Sequence, residues 1–192
     1  MKNFKSCIKI FTILTFITGI IYPLTITTIG QILFPWQVNG SIIYQNKVAI
    51  GSALIGQPFE RGDLFWSRPS PTPDFPYNPL FSGGSNLGPT NPKLISEIRN
   101  RIEFFKENGL RLPIPSDLVM GSGSGLDPDI TPEAAMVQIP RISKVTNIPT
   151  GILKELVEHN TEPRDLGIFG AKRVNVLKLN LTLIELEKQY VR

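Results

Sequence analysis

Cysteine and histidine are nearly absent from the 192 residues, which contain only Cys7 and His159. A lone cysteine excludes a disulfide framework, and a lone histidine excludes a His-rich zinc site. His159 also lacks the surrounding pattern of a Ser-His-Asp triad, so we interpret it as a surface residue at a helix end. The sequence therefore predicts no catalytic residues and no metal site.

Charge is absent from residues 10–32, which form one long apolar run. As a helix this run would be roughly 34 Å long, enough to cross a hydrocarbon core of about 30 Å. A cleaved signal peptide is the alternative, but its apolar core is shorter, about 7–15 residues, and no Ala-x-Ala-like site follows. Three lysines precede the run, and the next charged residue is Lys47. The positive-inside rule then predicts a cytoplasmic tail over 1–9, a transmembrane helix over 10–32 and an extracytoplasmic domain over 33–192.

The predicted span carries small and hydroxylated residues on one side. Thr15, Thr18, Gly19 and Tyr22 follow i, i+3, i+4 and i+7 spacing and would share one helix face. Such residues let helices approach closely and hydrogen-bond across the contact, so we predict that this face docks on other membrane helices. Pro23 lacks a backbone donor and predicts a kink.

Beyond the span the charges almost cancel. Three of the 20 Lys and Arg residues precede the membrane run, which leaves 17 against 16 Asp and Glu. The net charge of +4 is therefore no evidence for nucleic-acid binding. The remaining length is enough for one domain with a core.

The predicted fold class is α+β: one transmembrane helix, then a single extracytoplasmic domain with short strands, a long Pro/Gly-rich loop and about four helices. Two β-friendly runs form a hairpin, and Leu64–Trp66 predicts a third short strand. Asn91 and Thr131 are predicted N-caps, each followed by proline. The pattern after residue 174 fits a helix or a strand, and we favour the helix. The predicted strands are 41–44, 48–54 and 64–66, and the predicted helices are 92–108, 132–145 with a kink or break at Pro140, 150–159 and the tail.

Seven prolines lie from Pro69 to Pro92, with the sequence SGGSNLG at residues 82–88. Apolar residues are interleaved, so we expect an ordered loop packed on the domain or on a partner rather than a disordered segment. A second glycine run, GSGSG, occupies residues 121–125.

The two glycine runs allow a nucleotide-binding interpretation, because exposed backbone amides bind anions. Neither run is complete, since no Gly-Lys-Ser/Thr follows and no βαβ frame surrounds them. We favour tight turns that bring backbones together and keep a membrane-anchored nucleotide-binding protein as the alternative. A cation site from Asp117, Asp127 and Asp129 is the weaker interpretation, since turn and cap geometry explains these residues. The residues of the alternative nucleotide loop are Ser82, Gly83, Gly84, Ser85 and Asn86.

Several motifs occur together in a fixed order behind the single span. On these motifs the chain resembles the C-subunit family of the bacterial Kdp potassium-transporting ATPases. It departs from the family at Met120–Gly121, at Asp129, where histidine is expected, and at Pro140, so any role of that histidine does not transfer. The matching stretches are 51–57, 68–70, 82–89, 91–92, 115–119, 121–128, 131–135, 166–167, 173–177 and 179–181.

The resemblance implies a non-catalytic subunit, needed for assembly and stability, that raises the ATP affinity of the pump subunit as a catalytic chaperone. Its implied partners are a channel-like potassium-binding subunit, a P-type ATPase subunit and a small single-span subunit. The implied location is the cell membrane, which is the inner membrane if the cell is Gram-negative. ATP and potassium would be handled by these partners, with no cofactor bound by this chain. The predicted partner-docking residues are Ser85, Asn86, Leu87, Asn91, Ser122, Ser124 and Asp127.

Overall fold

The computed structural model describes residues 2–190 of the chain. These residues form two compact units that divide between Ile42 and Ile43. The first unit is helical, and the second combines short strands with helices. The predicted α+β fold with one N-terminal span is confirmed.

One long apolar helical segment forms most of the first unit. It covers Phe4–Leu33, its most apolar 18-residue stretch has a mean hydropathy of 1.9, and it is the one candidate span among residues 2–190. It consists of α1 (Lys2–Phe16), a π-turn (Ile17–Ile21) and α2 (Tyr22–Leu33). A short helix, α3 (Pro35–Val38), follows.

The π-turn lies immediately before Pro23. The Tyr22 N–H donates to the carbonyl of Ile17, five residues back. Pro23 has no N–H to donate, and its ring would crowd the carbonyl of Gly19 in a regular α-helix. A wider turn relieves that crowding, and π-turns are one of the recognised causes of helix irregularity. The kink predicted at Pro23 therefore takes the form of a π-turn one turn earlier.

Two small sheets lie in the second unit. Strands β1 (Ile42–Gln45) and β2 (Val48–Ser52) form the predicted hairpin. Its two-residue turn is Asn46–Lys47, and both residues have positive φ, typical of a type I′ turn. The other sheet has the order β3-β5-β4, with β3 (Asp129–Ile130) and β4 (Thr161–Glu162) each antiparallel to β5 (Arg173–Asn175). Sequence reasoning missed β3, β4 and β5, since two or three residues are too few for a periodic pattern.

The predicted helices of the second unit are confirmed with small changes at their ends. The Asn91 carboxamide caps α4 (Pro92–Glu107) by accepting from Lys93 N at 2.9 Å. The Thr131 hydroxyl caps α6 (Pro132–Met136) in the same way, at 3.1 Å from Ala134 N. Among the described residues, the second unit has four further helices: α5 (Ser116–Val119), α7 (Ile139–Thr146), α8 (Thr150–His159) and α9 (Val176–Tyr190).

Two boundary predictions are refined. The break predicted at Pro140 occurs just before it, so that Pro140 lies in the first turn of α7, where a missing N–H is tolerated. The tail is helical from Val176, as favoured, but Val174 belongs to β5. The Asn175 carboxamide links the two elements by accepting from Lys178 N at 3.1 Å, as a helix cap does.

The predicted strand at Leu64–Trp66 is wrong. The segment is buried, but it pairs with no strand of the described residues 2–190. Instead, the Asn180 carboxamide accepts from Phe65 N at 2.8 Å and donates to Phe65 O at 2.9 Å. Gln138 does the same for Trp66, at 2.8 and 3.2 Å. Two side-chain amides thus replace a neighbouring strand, and they satisfy backbone groups that would otherwise be buried unpaired.

The core surrounds α8, which packs on α6, α7 and α9. Leu153 and Val157 are its fully buried residues. Arg141 closes one side of this core: its guanidinium stacks on Trp66 at 3.6 Å and donates to the carbonyl of Leu64 at 2.8 Å. Burial lowers the pKa of Arg141 to about 10.

Candidate functional site

The two glycine runs lie against each other. We call residues 69–91 the proline loop and residues 120–128 the glycine loop. Gly83 N donates to the carbonyl of Ser124 at 2.8 Å, and the Ser82 hydroxyl donates to the same carbonyl at 3.1 Å. A Cβ on Gly84 would lie 3.1 Å from Gly123 O. Close backbone approach thus explains why small residues occupy both runs.

Short side chains hold the proline loop in place without helix or strand. Ser70 is central: its hydroxyl donates to the carbonyl of Gly125 at 2.7 Å and accepts from Tyr77 N at 2.8 Å. The Thr72 hydroxyl donates to Phe75 O at 2.8 Å and accepts from Asn78 N at 3.1 Å. The prediction of an ordered loop packed on the domain is confirmed.

Tyr77 joins a third segment to these loops. Its ring is 6% exposed, and its hydroxyl donates to the carbonyl of Arg68. The ring lies over Gly56, whose N–H donates to Leu126 O at 2.8 Å. Burial raises the pKa of the Tyr77 hydroxyl to about 12.

Tyr77→Phe is expected to change the alkaline stability of the domain. Ionised Tyr77 is disfavoured in the fold, so wild-type stability is complete below pH 10 and falls by roughly 2–3 kcal/mol as the pH rises to about 12. The Tyr77→Phe variant lacks this pH dependence. Its free energy of unfolding at neutral pH should be about 1 kcal/mol lower, because the hydrogen bond to Arg68 is lost. Denaturant unfolding of both proteins would measure the difference. A difference that stays constant up to about pH 12 would contradict the prediction.

Charged side chains line a small cavity beside the glycine loop, of about 250 Å³. Asp127 pairs with Arg68 at 2.8 Å, and Asp129 lies 3.6 Å from Arg173. Asp117 accepts from Thr131 N at 2.7 Å. Burial, and then the charge of Asp127, raise the pKa of Asp129.

The three aspartates considered for a cation do line this one cavity. Each already binds a protein donor, and cationic side chains share the lining. Within residues 2–190, no group of three or more His, Cys, Asp or Glu side chains is placed to hold a metal ion. The geometry therefore favours the structural interpretation of turns, caps and ion pairs.

The predicted docking residues divide into two kinds. Ser85, Asn86 and Ser124 are exposed, and Asn86 has a positive φ of 52°. The remaining four are half-buried or buried, and three of them support the loops: Asn91 caps α4, the Ser122 hydroxyl accepts from Gly125 N at 2.9 Å, and Asp127 pairs with Arg68. Leu87 is half-buried.

In the loop of the alternative nucleotide-binding hypothesis, residues 82–86, one backbone amide is already hydrogen-bonded. Gly83 N donates to Ser124 O, and Gly84 faces the backbone of Gly123 rather than open space. Ser85 and Asn86 remain on the surface. These contacts support the interpretation as packed turns.

The four residues predicted to form the docking face of the span are all exposed. Thr15 and Gly19 line one surface groove of about 400 Å³, together with aromatic Phe11 and Phe16. Thr18 and Tyr22 lie outside its lining, and the Thr18 hydroxyl donates to its own helix, to Leu14 O at 2.8 Å. The π-turn changes the helical spacing through this stretch, so α-helical spacing alone does not describe the face.

Two sets of apolar side chains are exposed on loops of the second unit. One lies on the proline loop and includes Leu80, which is 81% exposed. The other lies in residues 164–170, which sequence reasoning did not single out beyond a motif match. Clustered large apolar residues in a short turn-rich segment were the available signal. The exposed residues are Phe75, Leu80 and Phe81 in the first set, and Leu166, Ile168 and Phe169 in the second.

One candidate N-terminal span followed by a small α+β domain defines a single-span, membrane-anchored class of protein. The family model "KdpC: K+-transporting ATPase, c chain" matches residues 4–185. The chain therefore belongs to the KdpC family, the C subunits of potassium-transporting ATPases.

Curated relatives align with this chain over nearly their whole length, and each is named "Potassium-transporting ATPase KdpC subunit". The protein of Geotalea uraniireducens is 49% identical, covering 98% of this chain and 100% of the relative. That of Geobacter metallireducens is 50% identical, over 95% and 97%. That of Polynucleobacter asymbioticus is 48% identical, over 93% and 96%.

Proposed function

We propose that this chain is a non-catalytic subunit that helps to assemble and stabilise its potassium-transporting ATPase. The proposal rests on one observation: the proline loop packs against the glycine loop, and together they form one ordered surface. Its polar side chains are largely bonded within the domain, as at Ser70 and Thr72, while Ser85 and Asn86 stay exposed. Such a surface suits contact with a partner better than chemistry on a small molecule.

The proposed partners are the channel-like potassium-binding subunit, the P-type ATPase subunit and the small single-span subunit. We place ATP hydrolysis and potassium binding in these partners, with no cofactor held by this chain. An increase in the ATP affinity of the pump subunit would then be a coupling transmitted through the complex. The groove at Thr15 and Gly19 offers a close-packing position for a partner helix.

The proposed topology follows from charge on either side of the span. Lysines precede the apolar segment, and none follows it until Lys47. We infer a cytoplasmic tail over 1–9, a span over 10–32 and an extracytoplasmic domain over 33–192. Cytosolic ATP would then not reach the loops.

Thiol labelling of intact cells tests both the topology and the docking surface. Ser85→Cys in a Cys7→Ser background is expected to react with a membrane-impermeant reagent when the chain is expressed alone. Co-expressed partners should suppress most of that reaction. Lys154→Cys, exposed on α8, is the matched control for expression and access.

Each other outcome has a distinct meaning. Equal labelling of Ser85→Cys with and without partners would contradict docking through this surface. Reaction only after permeabilisation would place the loops in the cytoplasm. The nucleotide-binding alternative, through Ser82–Asn86, would then become the stronger hypothesis.

A further inference from the structure

Residues 164–170, which we call the finger, form a closed turn. Asp165 and Phe169 exchange two backbone hydrogen bonds, both of 3.0 Å. Gly167 N donates to Arg164 O at 3.0 Å, and Leu166 and Gly167 both have positive φ. Ile168 N also donates to Asp165 O, at 3.2 Å, and four backbone hydrogen bonds in so short a segment make the finger a well-defined turn.

The finger presents its apolar side chains to solvent. Leu166 is 88% exposed, Ile168 is 73% exposed and Phe169 is 63% exposed. Three neighbouring large apolar residues at these exposures are unusual in a water-facing turn and indicate a contact surface. Burying these side chains requires an apolar medium or a pocket on another molecule.

Charged residues hold the base of the finger. Arg173 on β5 pairs with Glu162 on β4 at 3.1 Å and reaches Asp165 at 3.7 Å. Lys178 also binds Glu162, at 3.0 Å. Two further cationic residues, Arg164 and Lys172, flank the finger and are exposed. Apolar residues at the tip and cations beside the base match the order of layers at a membrane surface.

The chain between the span and the domain is short. Eight residues, 34–41, separate Leu33 at the end of α2 from Ile42 at the start of β1. Even fully extended, they cover at most roughly 30 Å. This linker tethers the domain to the proposed span, which raises the effective concentration of the domain's surface at the membrane, so that even a weak lipid contact can form.

We propose that the finger inserts its apolar tip into the interfacial layer of the membrane that anchors the chain. Leu166, Ile168 and Phe169 enter the headgroup–acyl boundary, and Arg164 and Lys172 meet lipid phosphates. The insertion orients the domain on the bilayer. It requires no partner subunit, so it does not depend on the assembly role proposed above.

Fluorescence of the full chain in vesicles tests this inference. Ile168→Cys in the Cys7→Ser background carries an environment-sensitive fluorophore, in vesicles of phosphatidylcholine and phosphatidylglycerol. Nitroxide-bearing lipids should quench it strongly and a water-soluble quencher weakly. The same label on Lys154→Cys should show the reverse order. Adding Leu166→Ser to the labelled chain should lower the insertion equilibrium about tenfold, because one large apolar side chain no longer enters the interface.

Two results would overturn the proposal. One is a label at Ile168→Cys that is open to the water-soluble quencher and insensitive to nitroxide lipids. The other is protection that develops only in the assembled complex, still without lipid quenching, which would make the finger a protein-docking element. Circular dichroism of each variant confirms the fold, and these exposed positions should leave it unchanged.

Discussion

Gly56→Ala is expected to destabilise the second unit by about 3 kcal/mol or more, although it adds one methyl group. A Cβ at this position would lie 2.2 Å from an atom of the Tyr77 ring and 2.8 Å from the carbonyl of Asp127. The backbone of Gly56 is itself fixed by its bond to Leu126 O. Tyr77 must therefore move, which breaks its bond to Arg68 and uncovers its buried ring.

The consequence should extend beyond stability to the loop surface. Tyr77 N bonds Ser70, and Ser70 bonds Gly125, so displacement of the ring loosens both loops. Denaturant unfolding of the full chain in detergent measures the first effect. Faster reaction of Ser85→Cys with a thiol reagent measures the second.

Gly151→Ala is the matched control for this substitution. Gly151 lies in α8, and an added Cβ there would meet no atom within 4 Å. Replacing a helical glycine by alanine should raise stability by up to about 1 kcal/mol. Equal effects of the two variants would show that the packing of Tyr77 on Gly56 does not hold the loops.

Local chemistry made part of the fold predictable. The Asn91 and Thr131 side chains cap helices by accepting from backbone amides two or three residues later. A few adjacent residues are therefore enough to predict each helix start. The hairpin turn at residues 46–47 is local in the same sense. The strand prediction for Leu64–Trp66 was wrong because the segment's hydrogen-bond partners are distant in sequence. Gln138 lies 72 residues from Trp66, and Asn180 lies 115 residues from Phe65.

In the candidate site, too, local features could be predicted and contacts between distant parts of the chain could not. The glycine runs predicted tight backbone approach, and Gly84 does approach Gly123. The sequence could not show that the two runs approach each other, because the bond from Gly83 to Ser124 joins residues distant in the chain. The finger was missed for a related reason. Exposure of Leu166 and Ile168 follows from the turn geometry and from what the rest of the core leaves uncovered.

Asn180→Leu is expected to lower the free energy of unfolding by roughly 3–5 kcal/mol, although the two side chains have the same branched arrangement of heavy atoms. Asn180 is 1% exposed and binds both backbone groups of Phe65, which is itself fully buried. Leucine would leave an N–H and a carbonyl without partners in the core, at about 1–3 kcal/mol each, with a further cost for imperfect packing.

The comparison of Asn180→Leu with Asn180→Asp separates this cause from packing. Aspartate retains an acceptor for Phe65 N but loses the donor to Phe65 O, and it places a charge in the core. It should therefore be strongly destabilising at neutral pH and partly rescued in acid, where the protonated carboxyl can donate.

Asn100→Leu, at an exposed position of α4, should change stability by less than about 0.5 kcal/mol. Unfolding curves of the three variants decide the matter: a small effect of Asn180→Leu would mean that packing alone, rather than the paired amide, holds the Leu64–Trp66 segment in the core.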